Sequence, residues 1–435
     1  MSTIKKYYLE LHNFLFLWFG QSLSTLGSMM STFAITILIF QRTESVLVLS
    51  IASLLILLPR MIAGVFVGPL VDRTNKKTVI LFSDIGKGIC VLIMFLLLRQ
   101  DALEIWHIYS LNTVIGVLAS FKLLAGDVAV SIVVPKEHYV RTNGLQSFSY
   151  GIIQVAAPAL AALLLAFFDI ATVIAFDLIT LVFASVSLIF FVKIPHVQQE
   201  TKPRLGFRNY CQEMKQGLEV IQASKILMRL LLFMSFVNLI SGITYFNIIS
   251  PMILARSGND ATAMAVVNSS IGIGGMIGAA LVMIIPSGIS KIKIIFFTCA
   301  ISFLLGDVVI ALGNSLIWWA VGGIMSSAFI PAVIANVMYF WRTIIPVELQ
   351  GRAFSIRYLI QSGPMPVGML IGGILADYMF EPFMMRPPAF FNTILGSGSG
   401  YGMALMFLIT GLMGAALCVA GFFNRSLRRE EAEIG

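Results

Sequence analysis

Long blocks of apolar residues constrain the fold of this 435-residue chain more than any other feature. Each block is about 20 residues long, the length at which an α-helix crosses roughly 30 Å of hydrocarbon. Only 11% of the residues are charged, against roughly 25% in soluble domains, so a soluble fold is excluded. We predict an all-α membrane protein with twelve spanning helices, at residues 14–40, 45–67, 78–98, 104–134, 141–166, 169–192, 226–254, 261–285, 292–312, 316–341, 353–380 and 402–423.

The distribution of positive charge predicts how these helices are threaded. If the N-terminus is cytoplasmic, 22 of the 29 Lys and Arg residues fall in cytoplasmic segments and four in outer segments. Short cytoplasmic loops of membrane proteins carry an excess of Lys and Arg, so both termini are predicted to be cytoplasmic. The net charge of +8 is then explained by loops facing anionic lipid, and no nucleic-acid partner is needed.

A short pattern occurs twice, half a chain apart, and predicts two related halves. Pro-x-Glu followed four residues later by Arg is found at Pro135, Glu137 and Arg141, and again at Pro346, Glu348 and Arg352, an offset of 211 residues. Each copy precedes the fifth helix of a six-helix half. We predict an N-terminal bundle at 1–192, a cytoplasmic linker with an interfacial helix at 193–225, and a C-terminal bundle at 226–435.

The repeated residues suit the start of a helix. Proline at the first helical position loses no hydrogen bond, and Glu lies near the electropositive end. Glu followed four residues on by Arg forms a same-face ion pair. Two interpretations stay open: the charges only cap these helices, or they also bridge neighbouring helices when the cytoplasmic side is closed.

The loop after the second span, "GVFVGPLVDRTNKKTVI", combines close packing with charge. Gly64 and Gly68 form a GxxxG that allows two helices to approach closely. Asp72 and Arg73 follow in a very short loop, and Asp72 requires a partner. We expect Asp72 to dock at the start of the eleventh span, near Arg352 and Arg357, and so to latch the two halves.

"GPLVDRTNKK" resembles the loop signature of the major facilitator superfamily, with Asn75 where a glycine is usual. The tail "IPVELQGRAFSIRYLIQSGPMPVGMLIGGILADYMFEPFM" and the start "NFLFLWFGQSLSTLGSMMSTFAI" are similar to the macrolide-efflux branch of that superfamily. The resemblance implies the major facilitator fold, two pseudo-symmetric six-helix bundles around a midplane site, alternating access and drug–proton antiport. It also places Lys122 where many such antiporters have arginine, and Pro158 within the fifth-span antiporter pattern.

Ionisable residues inside the spans are candidates for function, because charge in the bilayer is costly unless paired or hydrated. Lys122 and Asp127 lie on the fourth helix, which lines the central cavity in the resembled fold, and either could meet substrate or exchange a proton. Arg60 could pair with Asp127 or contact substrate, and Asp307 ranks below them. Asp84 and Lys87, three residues apart on one helix face, could neutralise each other.

The remaining motifs are structural. "IGIGGMIG", with Gly274 and Gly278, lies inside a span and predicts close helix packing rather than a dinucleotide loop. No catalytic residues, metal ligands or cofactor site are predicted, and no phosphate-binding loop for ATP is found in the sequence.

The sequence therefore predicts a secondary transporter in a bacterial cell membrane, a monomer that exports amphipathic, macrolide-like molecules in exchange for protons. Its partners would be a small-molecule substrate, protons and the lipid bilayer. One alternative is transport of a lipid-like or peptide metabolite. The alternative from another class is a membrane receptor or enzyme.

Overall fold

The structure, a computed structural model, describes residues 3–135, 138–194, 207–282 and 289–432. Side chains in these ranges are described except at 3–10, 65, 66, 68–70, 72, 73, 139–141, 143, 207–214, 347, 348, 351, 352, 355, 425, 428 and 432. The helices are α1 Thr3–Thr43, α2 Val46–Arg73, α3 Lys76–Arg99, α4 Ile105–Val133, α5 Tyr139–Phe167, α6 Ile170–Phe191, α7 Phe207–Ala223, α8 Lys225–Ile243, α9 Ile249–Arg256, α10 Ala261–Val282, α11 Lys291–Ile301, α12 Val308–Leu312, α13 Leu316–Ala328, α14 Ile330–Ile344, α15 Val347–Ser362, α16 Pro364–Leu375, α17 Glu381–Met385, α18 Ala389–Ile394, α19 Tyr401–Phe422 and α20 Arg425–Ala432. Two π-helical turns join α11 to α12 (Ser302–Asp307) and α16 to α17 (Ala376–Phe380).

Twelve helical segments in the described ranges are long and apolar enough to cross a membrane. This confirms the predicted all-α membrane fold and its number of spans. Several spans are built from two or three consecutive helices; the ninth, Lys291–Leu312, contains α11, the first π-helical turn and α12.

Some helix ends differ from the prediction. The apolar pattern predicts the seventh span as one helix over 226–254, but α8 ends at Ile243 and α9 begins at Ile249. It predicts that the eleventh span begins at 353, but α15 already begins at Val347, because a polar helical turn can continue into water beyond the bilayer. Pro346 is the residue before that helix rather than its first residue.

Polar side chains placed just before the helices explain where several of them begin. Asn75 accepts a hydrogen bond from the amide of Lys77 at the start of α3, and Asp169 accepts one from Thr172 at the start of α6. Such caps satisfy amides that have no partner within the helix. In the short loop between α5 and α6, the hydrogen bonds from Thr172 lower the pKa of Asp169.

Three acidic side chains cap helices other than their own. Such a carboxylate also interacts favourably with the positive end of the helix dipole. Asp377 accepts hydrogen bonds from Ser45 Oγ (2.5 Å) and from the amides of Val46 (2.9 Å) and Leu47 (3.0 Å). Glu381 accepts hydrogen bonds from the amides of Gly400 (2.9 Å) and Met403 (2.8 Å). Glu431 accepts them from Ser290 Oγ (2.5 Å) and from the amides of Lys291 (2.5 Å) and Ile292 (3.3 Å). The starts of α2, α19 and α11 are therefore fixed by acids distant in sequence.

The chain divides into two compact units. Unit 1 comprises Met1–Glu44 and Ile51–Thr201, and unit 2 comprises Ser45–Ser50 and Lys202–Gly435. In unit 1, α1 packs along α5 and α6, and α3 packs against α4 and α6. In unit 2, α8 packs on α16, α10 on α13, and α11 on α14 and α19, while α7 lies against α8 and α15. The first turn of α2 thus belongs to unit 2.

Glycines allow α10 and α13 to pack with their backbones in contact. A Cβ atom on Gly278 would lie 2.0 Å from the carbonyl oxygen of Ala328, and one on Gly274 would lie 2.4 Å from that of Ile324. Gly64 differs from the expectation of close packing: in the part of the chain that the structure describes, no atom lies within 4 Å of the position that its Cβ would occupy.

Replacing Gly278 by alanine is expected to destabilise unit 2 by about 2 kcal/mol, since α10 and α13 must separate to admit the methyl group. Gly275, about one turn away on the same helix, has no atom of the described residues within 4 Å of its Cβ position, so Gly275→Ala is the matched control. Thermal unfolding of the purified variants measures both. Equal melting temperatures for the two variants would contradict this account of the contact.

Candidate functional site

Six polar side chains form a buried group inside unit 1, which we call the unit 1 polar cluster. They come from four helices, α1, α3, α4 and α6, which all belong to the same bundle. Acids and bases are equal in number, so the group has no net formal charge. The members are Gln21, Ser28, Asp84, Lys87, Lys122 and Asp177.

The first half of the cluster is an ion pair between α3 and α4. Lys122 Nζ lies 2.7 Å from Oδ1 of Asp84, although the angle is not that of a hydrogen bond, so the contact is electrostatic. Gln21 Nε2 donates a hydrogen bond of 3.2 Å to the other carboxylate oxygen. The side chain of Asp84 is fully buried, whereas 28% of the Lys122 side chain is exposed. Lys122 is therefore the accessible end of this pair.

The second half is an ion pair between α3 and α6. Lys87 Nζ lies 3.2 Å from Oδ1 of Asp177, and Ser28 Oγ donates to the same oxygen at 3.2 Å. Lys87 also donates to Ser28 Oγ. A Cβ atom on Gly27 would lie 3.0 Å from the Cα of Asp177, so α1 and α6 meet closely here. Buried charges of this kind are tolerated only when they are paired and hydrogen-bonded.

The face of α1 that meets the cluster carries further polar groups. Gln21, Ser24, Ser28 and Ser31 recur at three- and four-residue spacing, which places them on one side of the helix. Gln21 Oε1, Ser24 Oγ and Ser31 Oγ are buried and have no hydrogen-bond partner among the described residues. Sequence reasoning missed Gln21 and Ser28 as members of the cluster, although this spacing in an otherwise apolar span was the signal that could have found them.

The expected pairing of Asp84 with Lys87 is wrong. The two residues are three apart on α3, but Asp84 pairs with Lys122 on α4 and Lys87 with Asp177 on α6. Neighbouring helices offer partners whose charged ends meet directly, and spacing along a single helix cannot reveal them. Asp177 on α6 forms the second ion pair and also accepts a hydrogen bond from Ser28.

Asp127 and Arg60, predicted to act near Lys122, lie outside the cluster. Both side chains are exposed, on α4 and α2 respectively, and they form no ion pair with each other. Arg60 therefore does not pair with Asp127 in this structure, and the alternative that Arg60 contacts substrate stays a prediction. Asp127 makes no hydrogen bond or ion pair with any residue whose side chain is described.

The other predicted site residues lie in unit 2, on α5 of unit 1, or outside the described side chains. Asp307 is buried, with 4% of its surface exposed, at the end of the first π-helical turn. The Arg357 guanidinium donates to Gln361 Oε1 at 3.0 Å and lies 5.1 Å from the ring centre of Trp341, so its observed contacts are within unit 2. Pro158 lies inside α5. The residues predicted to latch or bridge helices have side chains outside the described ones: Asp72, Arg73, Glu137, Arg141, Glu348 and Arg352. The surroundings of Gly68, predicted to allow close packing, also lie outside the description.

The chemistry available in the cluster is a change of ion-pair partners among its two acids and two bases. Two acids and two bases within ion-pair distance can be rearranged by a proton or by a charged ligand that reaches Lys122. The described residues contain no group of three or more His, Cys, Asp or Glu able to hold a metal ion. Paired charges inside a spanning bundle mark substrate or ion pathways in membrane proteins. Twelve spans with paired charges inside one bundle point to a transporter.

The chain belongs to the Major Facilitator Superfamily, whose family model matches residues 17–306. Its sequence is similar to that of Macrolide efflux protein A of Streptococcus pyogenes: the two are 27% identical over 379 residues, an alignment that covers 83% of this chain and 88% of that protein.

Solved structures of transporters share the fold. A crystal structure of a mutant of the nucleoside transporter NupG matches with a TM-score of 0.72 and 11% identity, covering 94% of this chain and 99% of that one. A bacterial homologue of the iron transporter ferroportin in an inward-facing state matches with a TM-score of 0.68 and 13% identity, covering 98% and 100%. At these identities the likeness concerns the fold alone.

Proposed function

We propose that this protein exports amphipathic, macrolide-like organic molecules from a bacterial cell in exchange for protons, by alternating access. The observation that carries the proposal is the similarity to Macrolide efflux protein A along 83% of the chain. The unit 1 polar cluster supports it, because Lys122 presents a partly exposed charge inside a transporter bundle. Lys and Arg are concentrated in alternate loops, which supports cytoplasmic termini. We propose that a monomer suffices, with 1–192 and 226–435 as the moving bundles.

Asp127 is proposed as the contact for the substrate's amino group. Its carboxylate is exposed on α4, the helix that carries Lys122, and no described cation neutralises it. A carboxylate in this position can pair with the protonated amine of a macrolide-like molecule. Lys122 stays in its ion pair with Asp84, so the substrate can approach Lys122 without breaking that pair.

The test is accumulation of a radiolabelled amine-bearing macrolide in cells with and without the protein, each with and without an uncoupler. Cells expressing the protein are expected to accumulate less, and the uncoupler is expected to abolish the difference. Asp127→Asn is expected to reduce export of this compound roughly tenfold, the effect of losing about 1.4 kcal/mol of binding. Export of an uncharged analogue is expected to stay unchanged.

Equal accumulation in all four conditions would reject macrolide export. If a labelled phospholipid or peptide is transported in vesicles while the macrolide is not, the substrate is a lipid-like or peptide metabolite. If expression lowers accumulation but an uncoupler has no effect, export stands and proton coupling is rejected.

A further inference from the structure

The apolar segment predicted as the seventh span of the chain, which lies in unit 2, is interrupted. α8 ends at Ile243, five residues form turns, and α9 begins at Ile249. Side chains hold the interruption together: the hydroxyls of Thr244 and Thr410 lie 3.0 Å apart, and Asn247 donates to the carbonyl of Met369 at 3.0 Å. In membrane proteins, broken helices persist only where protein or a cavity satisfies the backbone, and transporters bind ions and substrates at such breaks.

The ninth span contains a second irregularity close to the first. The π-helical turn Ser302–Asp307 is followed by α12, and a Cβ atom on Gly306 would lie 2.4 Å from the Cα of Ser326 on α13. Ser302 Oγ donates to the carbonyl of Ser326 at 2.5 Å. A single π-helical turn within an α-helix is frequent at functional sites. This one ends at Asp307.

Asp307 is a buried acid without a counter-ion. Its exposure is 4%, and none of the described residues gives it a hydrogen bond or an ion pair. Gly411 on α19 lies against it, with a Cβ position 3.2 Å from the Cβ of Asp307. The helices packed around this turn, α13 and α19, contain no Asp, Glu, Lys, Arg or His.

The ionisable groups that interact with Asp307 are weak acids. They are Tyr245, from the break in the seventh span, and Cys299 on α11. The lysines of α11, Lys291 and Lys293, lie at its start, about 20 Å away along the helix axis. Asp307 therefore faces no positive charge from its own helix or from the helices packed against it.

An ionised carboxylate in such surroundings costs several kcal/mol, whereas the neutral acid costs far less. We propose that Asp307 is a proton-binding site of unit 2, in which the carboxylate takes up one proton to become a carboxylic acid and releases it when the site opens. Half-buried Tyr245, at the break, is the group through which the proton reaches it. This inference rests on the proposed proton exchange and assigns it a residue.

A proton fits this site better than a metal cation does. Metal ions in proteins bind several ligands, and hard cations such as Na⁺, Mg²⁺ and Ca²⁺ are held by many oxygens. Among the residues that the structure describes, Asp307 belongs to no cluster of three or more metal-binding side chains. One carboxyl group beside a tyrosine is sufficient for a proton.

Infrared difference spectroscopy of the purified full-length protein, between neutral and strongly alkaline pH, tests this directly. The wild type is expected to show the carbonyl band of a protonated carboxylic acid at neutral pH and to lose it at alkaline pH. Asp307→Asn is expected to lack this band. Asp260→Asn, a change at an exposed acid that caps α10, is the matched control and is expected to retain it.

Absence of the band from the wild type, or its persistence in Asp307→Asn, would overturn the proposal. If Asp307→Asn does not fold, Tyr245→Phe provides a second test: slower exchange of the proton, with the band retained, is expected, and an unchanged exchange rate would reject the relay through Tyr245. If the carbonyl band titrates but export is not affected by an uncoupler, the proton-binding site at Asp307 is supported and proton antiport is rejected. Uncoupler-sensitive export that is unchanged in Asp307→Asn would reject Asp307 and leave antiport intact.

Discussion

Replacing Asp84 by asparagine is expected to lower the free energy of unfolding by about 3 kcal/mol, because it leaves the ammonium group of Lys122 without its counter-ion. Asp84 is fully buried and its partner is 2.7 Å away, so solvent can replace little of the lost interaction. Lys122→Met should cost a similar amount, since the Asp84 carboxylate would then be a buried charge. Thermal unfolding of the purified variants in one detergent measures both effects.

The double variant Asp84→Asn/Lys122→Met decides whether the loss comes from the pair. With both charges removed, most of the stability should return, because no unpaired charge is left in the bundle. Losses that simply add would show that the two side chains act independently and that their closeness has no energetic meaning. Asp127→Asn, an exposed acid on the same helix as Lys122, controls for loss of a carboxylate as such.

Replacing Asp377 by alanine is expected to destabilise the protein by about 3 kcal/mol, because three donors at the start of α2 lose their common acceptor. Those donors are Ser45 Oγ and the amides of Val46 and Leu47. Ser50, in the next turn of α2, accepts a separate hydrogen bond of 2.5 Å from Asn247 of unit 2. The loss of Asp377 should therefore free the first turn of α2 in particular.

A reactive cysteine can report that local change. Ser50→Cys, in a chain whose four natural cysteines are replaced, is expected to react slowly with a membrane-impermeant maleimide, because Ser50 is fully buried. Adding Asp377→Ala is expected to speed the reaction, whereas adding Asp127→Ala is not. Equal labelling rates in all three proteins would mean that Asp377 does not hold this turn.

The spans were predictable because their length and apolarity are local properties of the sequence. The break between Ile243 and Ile249 was not, because the residues across it, "TYFNI", continue the apolar run and include neither glycine nor proline. Its stability comes from Thr410 and Met369, which are distant in sequence. The early start of α15 was missed for the opposite reason, since its first turn is polar and has the composition of a loop.

The site was only half predictable. Lys122 was identified from its place in a spanning helix. Its partner Asp84 was assigned to Lys87 instead, because residue spacing shows which face of a helix a side chain is on but not which neighbouring helix packs against that face. Asp377 caps the start of a helix more than three hundred residues earlier in the chain, a contact that its place in an apolar span does not reveal. A single sequence carries no record of such pairings.

The wide turns at Ser302–Asp307 and Ala376–Phe380 have a consequence for how this family can vary. Each accommodates about one residue more than an ordinary helical turn, so the helix beyond it is rotated by about 100° relative to an uninterrupted helix. Single-residue gaps between homologous sequences should accordingly fall inside these two transmembrane segments as well as in loops. An aligned relative that lacks that extra residue would present a different side chain where Asp307 or Asp377 now stands.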